Sequence, residues 1–239
     1  PWLDFNMLQS GHAGRDLPNY QMVAADYART PVKPCFDGEP RYEDHPVMNA
    51  TWSSFDGYFD DYDVRKAAYW AVFAGAHGHT YGCHPVWQMY APPHTPLNNI
   101  RRPWYEAIDL PGAGQMQHVR ALMESRPFFE RIPDQTLLAC EPDSGGAHMQ
   151  AARAADGSYA MIYAPCAAQA IEVRLVHLAS TQPRGWWFDP RTGGSTAAVP
   201  QCLSADRATY VTPAEGPDWV LVLDDPARGF TAPGARGGR

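Results

Sequence analysis

The sequence lacks a long hydrophobic run and a dense basic cluster. No apolar stretch approaches the ~20 residues that a membrane span requires, and no basic segment followed by an apolar one opens the chain. The formal net charge is -7, whereas phosphate recognition needs Lys and Arg clustered on one face. We therefore expect neither a membrane nor a nucleic acid as partner.

The sequence also lacks paired cysteine motifs. Its five cysteines are far apart and form no CxxC pair: Cys35, Cys83, Cys140, Cys166 and Cys202. This spacing indicates neither a zinc knuckle nor a thioredoxin-like site, and we expect no cofactor. We expect small buried residues, at least one of them a free thiol, while a disulfide among the others stays open.

Aromatic and turn-forming residues are abundant by contrast. The chain contains 8 Trp, 12 Tyr and 9 Phe beside 23 Pro and 20 Gly. This mixture is typical of a saccharide cleft, in which sugar faces stack on aromatic rings presented by long loops. Aromatic packing in a core explains the same composition equally well.

The first half repeats a short apolar strand, a polar loop and a helix three times. We predict strands over 3–9, 32–37 and 78–82, and helices over 17–29, 63–76 and 113–125. Met22, Val23 and Tyr27 should face inward on the first helix, and Asp63 should cap the second. Residues 1–127 thus read as the last three βα units of a (β/α)₈ TIM barrel. A complete barrel has ~250 residues, so we expect the chain to begin mid-fold, without the N-terminal half of its barrel.

The second half changes to short β-rich runs separated by turn residues. This pattern predicts a small antiparallel β-sandwich over residues 128–226. Residues 227–239 are of low complexity, and we expect a disordered tail.

The loop after the second predicted strand carries the strongest candidate for catalysis. Catalytic groups of α/β barrels lie at the carboxyl ends of strands, and glycoside hydrolysis uses a pair of carboxyl groups. We predict Glu39 as the catalytic carboxylate, with Gly38 allowing close approach of a ligand, and Arg41, Glu43 and Asp44 binding sugar hydroxyls. A solvated acidic loop is the alternative.

The loops after the other two strands should complete the cleft. Gln9 and His12 are predicted to bind sugar hydroxyls from the first loop, and a buried hydrogen-bonded polar pair is their alternative. The third loop contributes four predicted substrate-binding residues, namely His79, Tyr81, His84 and Trp87. A metal site at His77, His79 and His84 is less favoured, because their spacing matches no familiar zinc arrangement.

Several motifs resemble one known family, the apiosidase-like glycoside hydrolases that include glycoside hydrolase family 140. The carrying residues include Asp37-Gly38-Glu39-Pro40, Arg65-Lys66-Ala67-Ala68-Tyr69-Trp70, Gly78-His79-Thr80-Tyr81-Gly82 and Ser125-Arg126-Pro127. A second block, 156–160 with 187–193, resembles the C-terminal sandwich of the same proteins. That domain has been labelled collagen-binding, and we interpret it as a support for the barrel.

The resemblance implies a secreted or periplasmic glycosidase that cleaves a pectic oligo- or polysaccharide with retention of configuration. It places Glu39 at the end of the seventh barrel strand and its partner acid upstream of Pro1, so we expect this chain alone to be an inactive fragment. A non-catalytic carbohydrate-binding or structural protein on the same scaffold is the alternative.

Overall fold

A computed structural model describes residues 2–140 and 143–235. The described helices are α1 (Asn19–Tyr27), α2 (Asp61–Phe73), α3 (His84–Trp87), α4 (Trp104–Ala107) and α5 (Pro111–Glu124). The strands of the first half are β1 (Asn6–Leu8), β2 (Cys35–Asp37), β3 (Tyr42–Glu43), β4 (Pro46–Met48), β5 (Phe55–Tyr58), β6 (Gly78–His79) and β7 (Gly82–Cys83). None of these helices is long and apolar enough to cross a bilayer.

Nine further strands lie among the described residues of the second half. They are β8 (Arg131–Pro133), β9 (Gln150–Ala154), β10 (Tyr159–Ala164), β11 (Ala170–Arg174), β12 (Arg184–Phe188), β13 (Ser195–Ala198), β14 (Cys202–Leu203), β15 (Arg207–Val211) and β16 (Trp219–Asp224). The chain divides into two compact units, Pro1–Val72 with Ala76–Gln117, and Phe73–Gly75 with His118–Arg239. The fold is therefore mixed α/β with many antiparallel strands.

The first unit is built on a parallel sheet of order β1-β2-β6. Each strand lies within a predicted run but is shorter than predicted. The third predicted run divides into β6 and β7, and β7 pairs with β3 instead of joining this sheet. A separate antiparallel pair joins β4 to β5. The predicted strand, loop and helix order is thus present three times, with extra short strands inside the long loops.

Helix α2 begins two residues earlier than predicted, and its cap differs from the prediction. The backbone N–H of Asp63 donates to Oδ1 of Asp60 at 3.1 Å, and the N–H of Asp60 donates to Oδ2 of Asp63 at 3.2 Å. This reciprocal pair is a capping box in which Asp60, not Asp63, occupies the N-cap position. Helix α2 then packs with residues 67–71 fully buried.

Helix α1 buries a narrower face than its sequence indicates. Val23 is fully buried, as predicted, but Met22 and Tyr27 are exposed. The inward assignment of Met22 and Tyr27 was wrong for the described structure, because α1 is only nine residues long and packs chiefly through Asn19 and Val23.

The second unit contains two antiparallel sheets that share one core. Their orders are β13-β12-β16-β10-β9-β8 and β11-β15-β14. The core combines Ile162 and Leu221 of the larger sheet with Val173 and Tyr210 of the smaller. Every residue of β10 is buried, because this strand lies in the middle of the larger sheet. Burial of such side chains contributes about 1.5–3 kcal/mol each.

One sequence-based expectation fails in this unit, which also contains a 3-10 turn at Gln135–Leu137. The expected disorder from residue 227 is wrong for 227–235, where Pro226–Arg228 form another such turn and the Pro233 carbonyl accepts from Ser195 at 2.8 Å. These backbone groups find partners within the sandwich, which composition cannot reveal. Residues 236–239 lie outside the described range.

None of the five cysteines, all of them within the described residues, forms a disulfide. Cys35 and Cys83 are buried, as expected for small apolar residues, whereas Cys202 is exposed.

Candidate active site

The three parallel strands end side by side. Their register aligns Leu8 with Asp37, and Asp37 with His79. The chain segments that follow each strand therefore emerge from one edge of the sheet. This arrangement brings two of the predicted loops, at Gln9 and Glu39, into direct contact.

Glu39 is the point on which these loops converge. The side-chain amide of Gln9 donates to Oε2 of Glu39, and Nε2 of His12 lies 3.7 Å from Oε1. The backbone N–H of Gly11 donates to the Glu39 carbonyl at 3.0 Å, which ties the two loops together. The Glu39 side chain keeps 39% of its surface exposed. A carboxylate held by an amide and an imidazole, yet open to solvent, can act as a nucleophile or base toward a bound substrate.

Asp37 is a buried anchor that the sequence reading missed as a functional residue. Its Oδ2 accepts from the Ser10 hydroxyl at 2.6 Å and from Nδ2 of Asn19 at 3.2 Å, and its Oδ1 accepts from the Ser10 N–H at 3.3 Å. Burial raises the pKa of the Asp37 carboxyl above its ordinary value. Asp37 thereby fixes the loop that carries Gln9 against the loop that carries Glu39.

Gly38 lies against the side chain of Met7, and the ligand approach that we predicted for it stays a prediction. A Cβ at this position would lie 2.4 Å from Sδ of Met7, so a larger residue would require Met7 to move. The Gly38 N–H donates to the carbonyl of Leu8 at 2.9 Å. The residue therefore holds β2 close to β1 just before Glu39.

Three imidazole rings form a cluster beside Glu39. His12 and His45 are stacked with their centroids 4.1 Å apart, whereas His45 and His84 meet edge to face at 4.3 Å. Burial lowers the pKa of His12 to about 3 and that of His45 to about 4, and it also lowers the pKa of His84. The three rings are therefore neutral near pH 7, so His12 presents an uncharged ring nitrogen toward Glu39. Sequence reasoning missed His45, whose only signal is its place beside the acidic motif.

Glu43 and Tyr81 contact each other directly. The Tyr81 hydroxyl donates to Oε2 of Glu43 at 2.6 Å, and the Gly112 N–H donates to Oε1 at 3.2 Å. Burial raises the pKa of the Glu43 carboxyl, and burial together with Glu43 raises that of the Tyr81 phenol. Both predicted substrate-binding groups therefore have protein partners.

Asp44 is likewise committed to protein contacts. Nη2 of Arg101 lies 2.5 Å from its Oδ1, and Nε of Arg102 lies 3.0 Å from its Oδ2, with the Asp44 side chain buried. Its φ of 63° is in the left-handed region, which Asp tolerates better than most residues. The structure therefore assigns Asp44 to anchoring the segment around 101–102, away from solvent.

Arg41 and His79 lie beneath the site. The Arg41 guanidinium donates to the Leu17 carbonyl and lies 5.7 Å from the Trp70 ring, with no exposed surface. Burial, followed by the charge of Arg41, lowers the pKa of His79 to about 3. Arg41 therefore does not face solvent, whereas His79 is partly exposed.

The remaining predicted residues lie on the third loop. Trp87 is 59% exposed, and its ring stacks at 6.0 Å on His84. His77 is bound through Nδ1 to the Cys35 carbonyl at 2.8 Å, apart from that cluster. No group of three or more His, Cys, Asp or Glu among the described residues is arranged to hold a metal ion, and this includes the considered His77, His79 and His84 set.

Comparisons with solved structures find glycosidases. One match is titled "Glycoside hydrolase", with 31% identity and a TM-score of 0.84, covering 97% of this chain and 54% of that one. Another is a glycoside hydrolase family 5 protein from Bacteroides vulgatus ATCC 8482, with 29% identity and a TM-score of 0.85, covering 96% of this chain and 52% of that one. The chain thus spans about half the length of the structures it matches. No curated protein matches it.

Two family profiles divide the chain between them. The profile described as "Putative collagen-binding domain of a collagenase" matches residues 132–224. The profile described as "Apiosidase-like, catalytic domain" matches residues 1–130. Since the second profile spans more than half of the 239 residues, the chain belongs to the family of apiosidase-like catalytic domains.

Proposed function

We propose that this chain is the C-terminal portion of a (β/α)₈ glycoside hydrolase in which Glu39 is one of the two catalytic carboxylates. The observation that carries the proposal is the convergence of Gln9 and His12 on the exposed carboxylate of Glu39, at the carboxyl edge of parallel strands. Family membership and the matched glycosidases support hydrolysis of a glycosidic bond as the reaction in which this carboxylate takes part. Glu39 attacks the anomeric carbon, while a second carboxyl protonates the leaving oxygen.

The barrel interpretation is supported by the outer edge of the first sheet. Among the described strands β1 pairs only with β2, and Leu3, Phe5 and Met7 around it are exposed. An open parallel edge flanked by apolar side chains is expected where further strands pair. We propose that the remaining units, and the acid that protonates the leaving group, come from residues outside this chain, so that the chain alone is inactive.

The proposed substrate is a pectic oligo- or polysaccharide, cleaved with retention. Retention requires the two carboxyl groups to lie ~5–5.5 Å apart, whereas inversion requires ~6.5–9.5 Å. The neutral ring of His12 suits the role of Glu39 as the nucleophile of a retaining enzyme, because the ring adds no positive charge beside the carboxylate that must attack.

The test is turnover by the complete gene product on a panel of plant-polysaccharide oligosaccharides. Glu39→Gln should lower turnover by roughly 10³-fold or more while sugar binding is retained. Glu106→Gln is the matched control, because Glu106 is exposed on α4 and should leave turnover unchanged. Equal turnover in Glu39→Gln would sink the catalytic role. Binding of glycans without turnover, in both wild type and variant, would favour the carbohydrate-binding alternative.

A further inference from the structure

The first unit contains a cavity that Tyr42 lines in part. Its volume is about 390 Å³, within the roughly 300–1,000 Å³ range of small-molecule pockets. The side chains lining it are mainly aromatic and aliphatic, namely Tyr42, Tyr81, Val86, Trp87, Ile108 and Ala113.

The aromatic wall of this cavity is fixed by the backbone. Tyr42 and Gly82 are register partners in the β3–β7 pair. A Cβ at Gly82 would lie 2.0 Å from the Tyr42 ring, so the ring packs directly against the glycine. A side chain at position 82 would displace the ring. Tyr42 is thereby held at the wall of the cavity.

Two of the polar side-chain groups around the cavity already have partners. The Tyr81 hydroxyl is bound to Glu43 at 2.6 Å, and Sγ of Cys83 lies 3.6 Å from the Ala107 carbonyl. An unsubstituted sugar has more hydroxyls than the Tyr42 hydroxyl can bond, and each buried hydroxyl left without a hydrogen bond costs about 1–3 kcal/mol. An apolar occupant incurs no such cost.

Two large apolar side chains remain open to solvent at this place. Trp87 is 59% exposed and Ile108 is 51% exposed. Their exposure beside the Tyr42 face creates a slot with aromatic surfaces, which favours a planar ring through offset or edge contacts.

The cavity is connected to the candidate active site through two rings, those of Tyr42 and His12. The centroids of Tyr42 and His12 are 4.7 Å apart, and His12 in turn lies 3.7 Å from Glu39. A group seated in the cavity can therefore be joined to a sugar bound at Glu39.

We propose that this cavity is a subsite for an aromatic ring carried by the substrate next to the bond that is cleaved. The proposal rests on the glycosidase function for the words "substrate" and "cleaved", but binding of the ring itself does not depend on turnover. It names the substrate class as a glycoside with an aryl group beside the scissile bond.

Binding of three six-membered rings to the complete gene product tests the proposal: 4-fluorophenol, cyclohexanol and myo-inositol, each titrated with NMR detection of the ligand. We expect 4-fluorophenol to bind most tightly and myo-inositol least. Tighter binding of myo-inositol would overturn the proposal in favour of an ordinary sugar subsite, and equal binding of cyclohexanol would overturn its aromatic specificity.

Variants locate the binding. Ala113→Leu fills the cavity from the exposed first turn of α5 and should weaken 4-fluorophenol binding at least tenfold, since leucine is a good helix former that leaves the fold intact. Gln117→Leu on the same helix is exposed outside the cavity and should bind as wild type. Trp87→Ala should weaken binding without filling the site. Wild-type affinity in Ala113→Leu would overturn the proposal.

Retained 4-fluorophenol binding with no hydrolysis by the complete gene product would count against the glycosidase function alone.

Discussion

The two units bury different kinds of side chain. The first buries charged and titratable groups close to Glu39, including Asp37, Arg41 and His45. The second buries a continuous apolar core, such as Ile162 and Leu221, together with one ion pair. Buried polar groups cost stability unless they are bonded, and they concentrate where chemistry requires them. The contrast teaches that buried polar contacts hold the first unit together to a greater extent, whereas the second relies mainly on apolar packing.

The largest expected effect concerns the polar exception in the second unit. Nη2 of Arg126 lies 2.6 Å from Oδ2 of Asp224, and both side chains are buried. Asp224→Asn should lower the free energy of unfolding by about 3–5 kcal/mol, because it leaves a buried charge without its partner. Urea denaturation measures the loss. The double variant Arg126→Met with Asp224→Leu should recover most of it, and a single-variant loss below ~1 kcal/mol would contradict the assignment.

The next largest effect is expected from acid, which should lower the stability of the first unit through the buried His45. The pKa of His45 is lowered from 6.5 to about 4 in the folded state, so the unfolded state binds more protons between these values. Stability of the first unit should therefore fall as pH drops from about 6.5 to 4, by on the order of 3 kcal/mol from His45. Asp37 and Glu43 offset part of this loss, since their raised pKa values favour proton uptake by the folded state.

The pH effect is measured by urea denaturation across that range, with His45→Phe beside the wild type. The variant should show a flatter dependence of unfolding free energy on pH. An unchanged slope would mean that His45 does not titrate in this way.

A pair of glycines on α5 tests packing around the buried Glu43 at a smaller scale. A Cβ at Gly112 would lie 2.4 Å from Oε2 of Glu43 and 2.8 Å from Cγ2 of Val64. Gly112→Ala should lower the unfolding free energy by about 1–3 kcal/mol through overpacking. Gly114→Ala is the matched control, because nothing lies within 4 Å of its Cβ, and it should stabilise by up to about 1 kcal/mol. Thermal unfolding should give opposite signs, and equal signs would refute the crowding at Glu43.

The smallest effect is expected at an exposed ion pair. Nε of Arg120 lies 2.7 Å from Oε1 of Glu124, with 76% and 60% of the side chains exposed. Arg120→Ala should change the unfolding free energy by less than about 0.5 kcal/mol, since solvent screens such pairs. A loss above ~1 kcal/mol in denaturant titration would show that charge at the surface matters as much as charge in the interior.

The sequence predicted the elements whose information is local. The three parallel strands, their helices and most strands of the sandwich follow from periodicity and turn residues. The convergence of Gln9 and His12 on Glu39 was within reach as well, because adjacent parallel strands must release their loops at one edge.

What the sequence could not predict depends on long loops. Asp44 meets Arg101, 57 positions away, and His45 is placed between His12 and His84 by loops with no periodicity. Sequence reasoning therefore took Asp44 for a substrate contact and overlooked His45. The outward positions of Met22 and Tyr27 have a similar origin, since helical periodicity says which residues share a face but not what covers that face.

The ring of Tyr42 lines the aromatic slot and also contacts His12 beside Glu39, and this limits how the protein can diversify. A change at Tyr42 or Gly82 would disturb both places at once, because the ring packs directly against the glycine. Ile108 and Ala113 line only the slot and can vary without reaching the carboxylate. Selection for new substrates should accordingly accumulate changes at Ile108 and Ala113 while Tyr42 and Gly82 remain as they are.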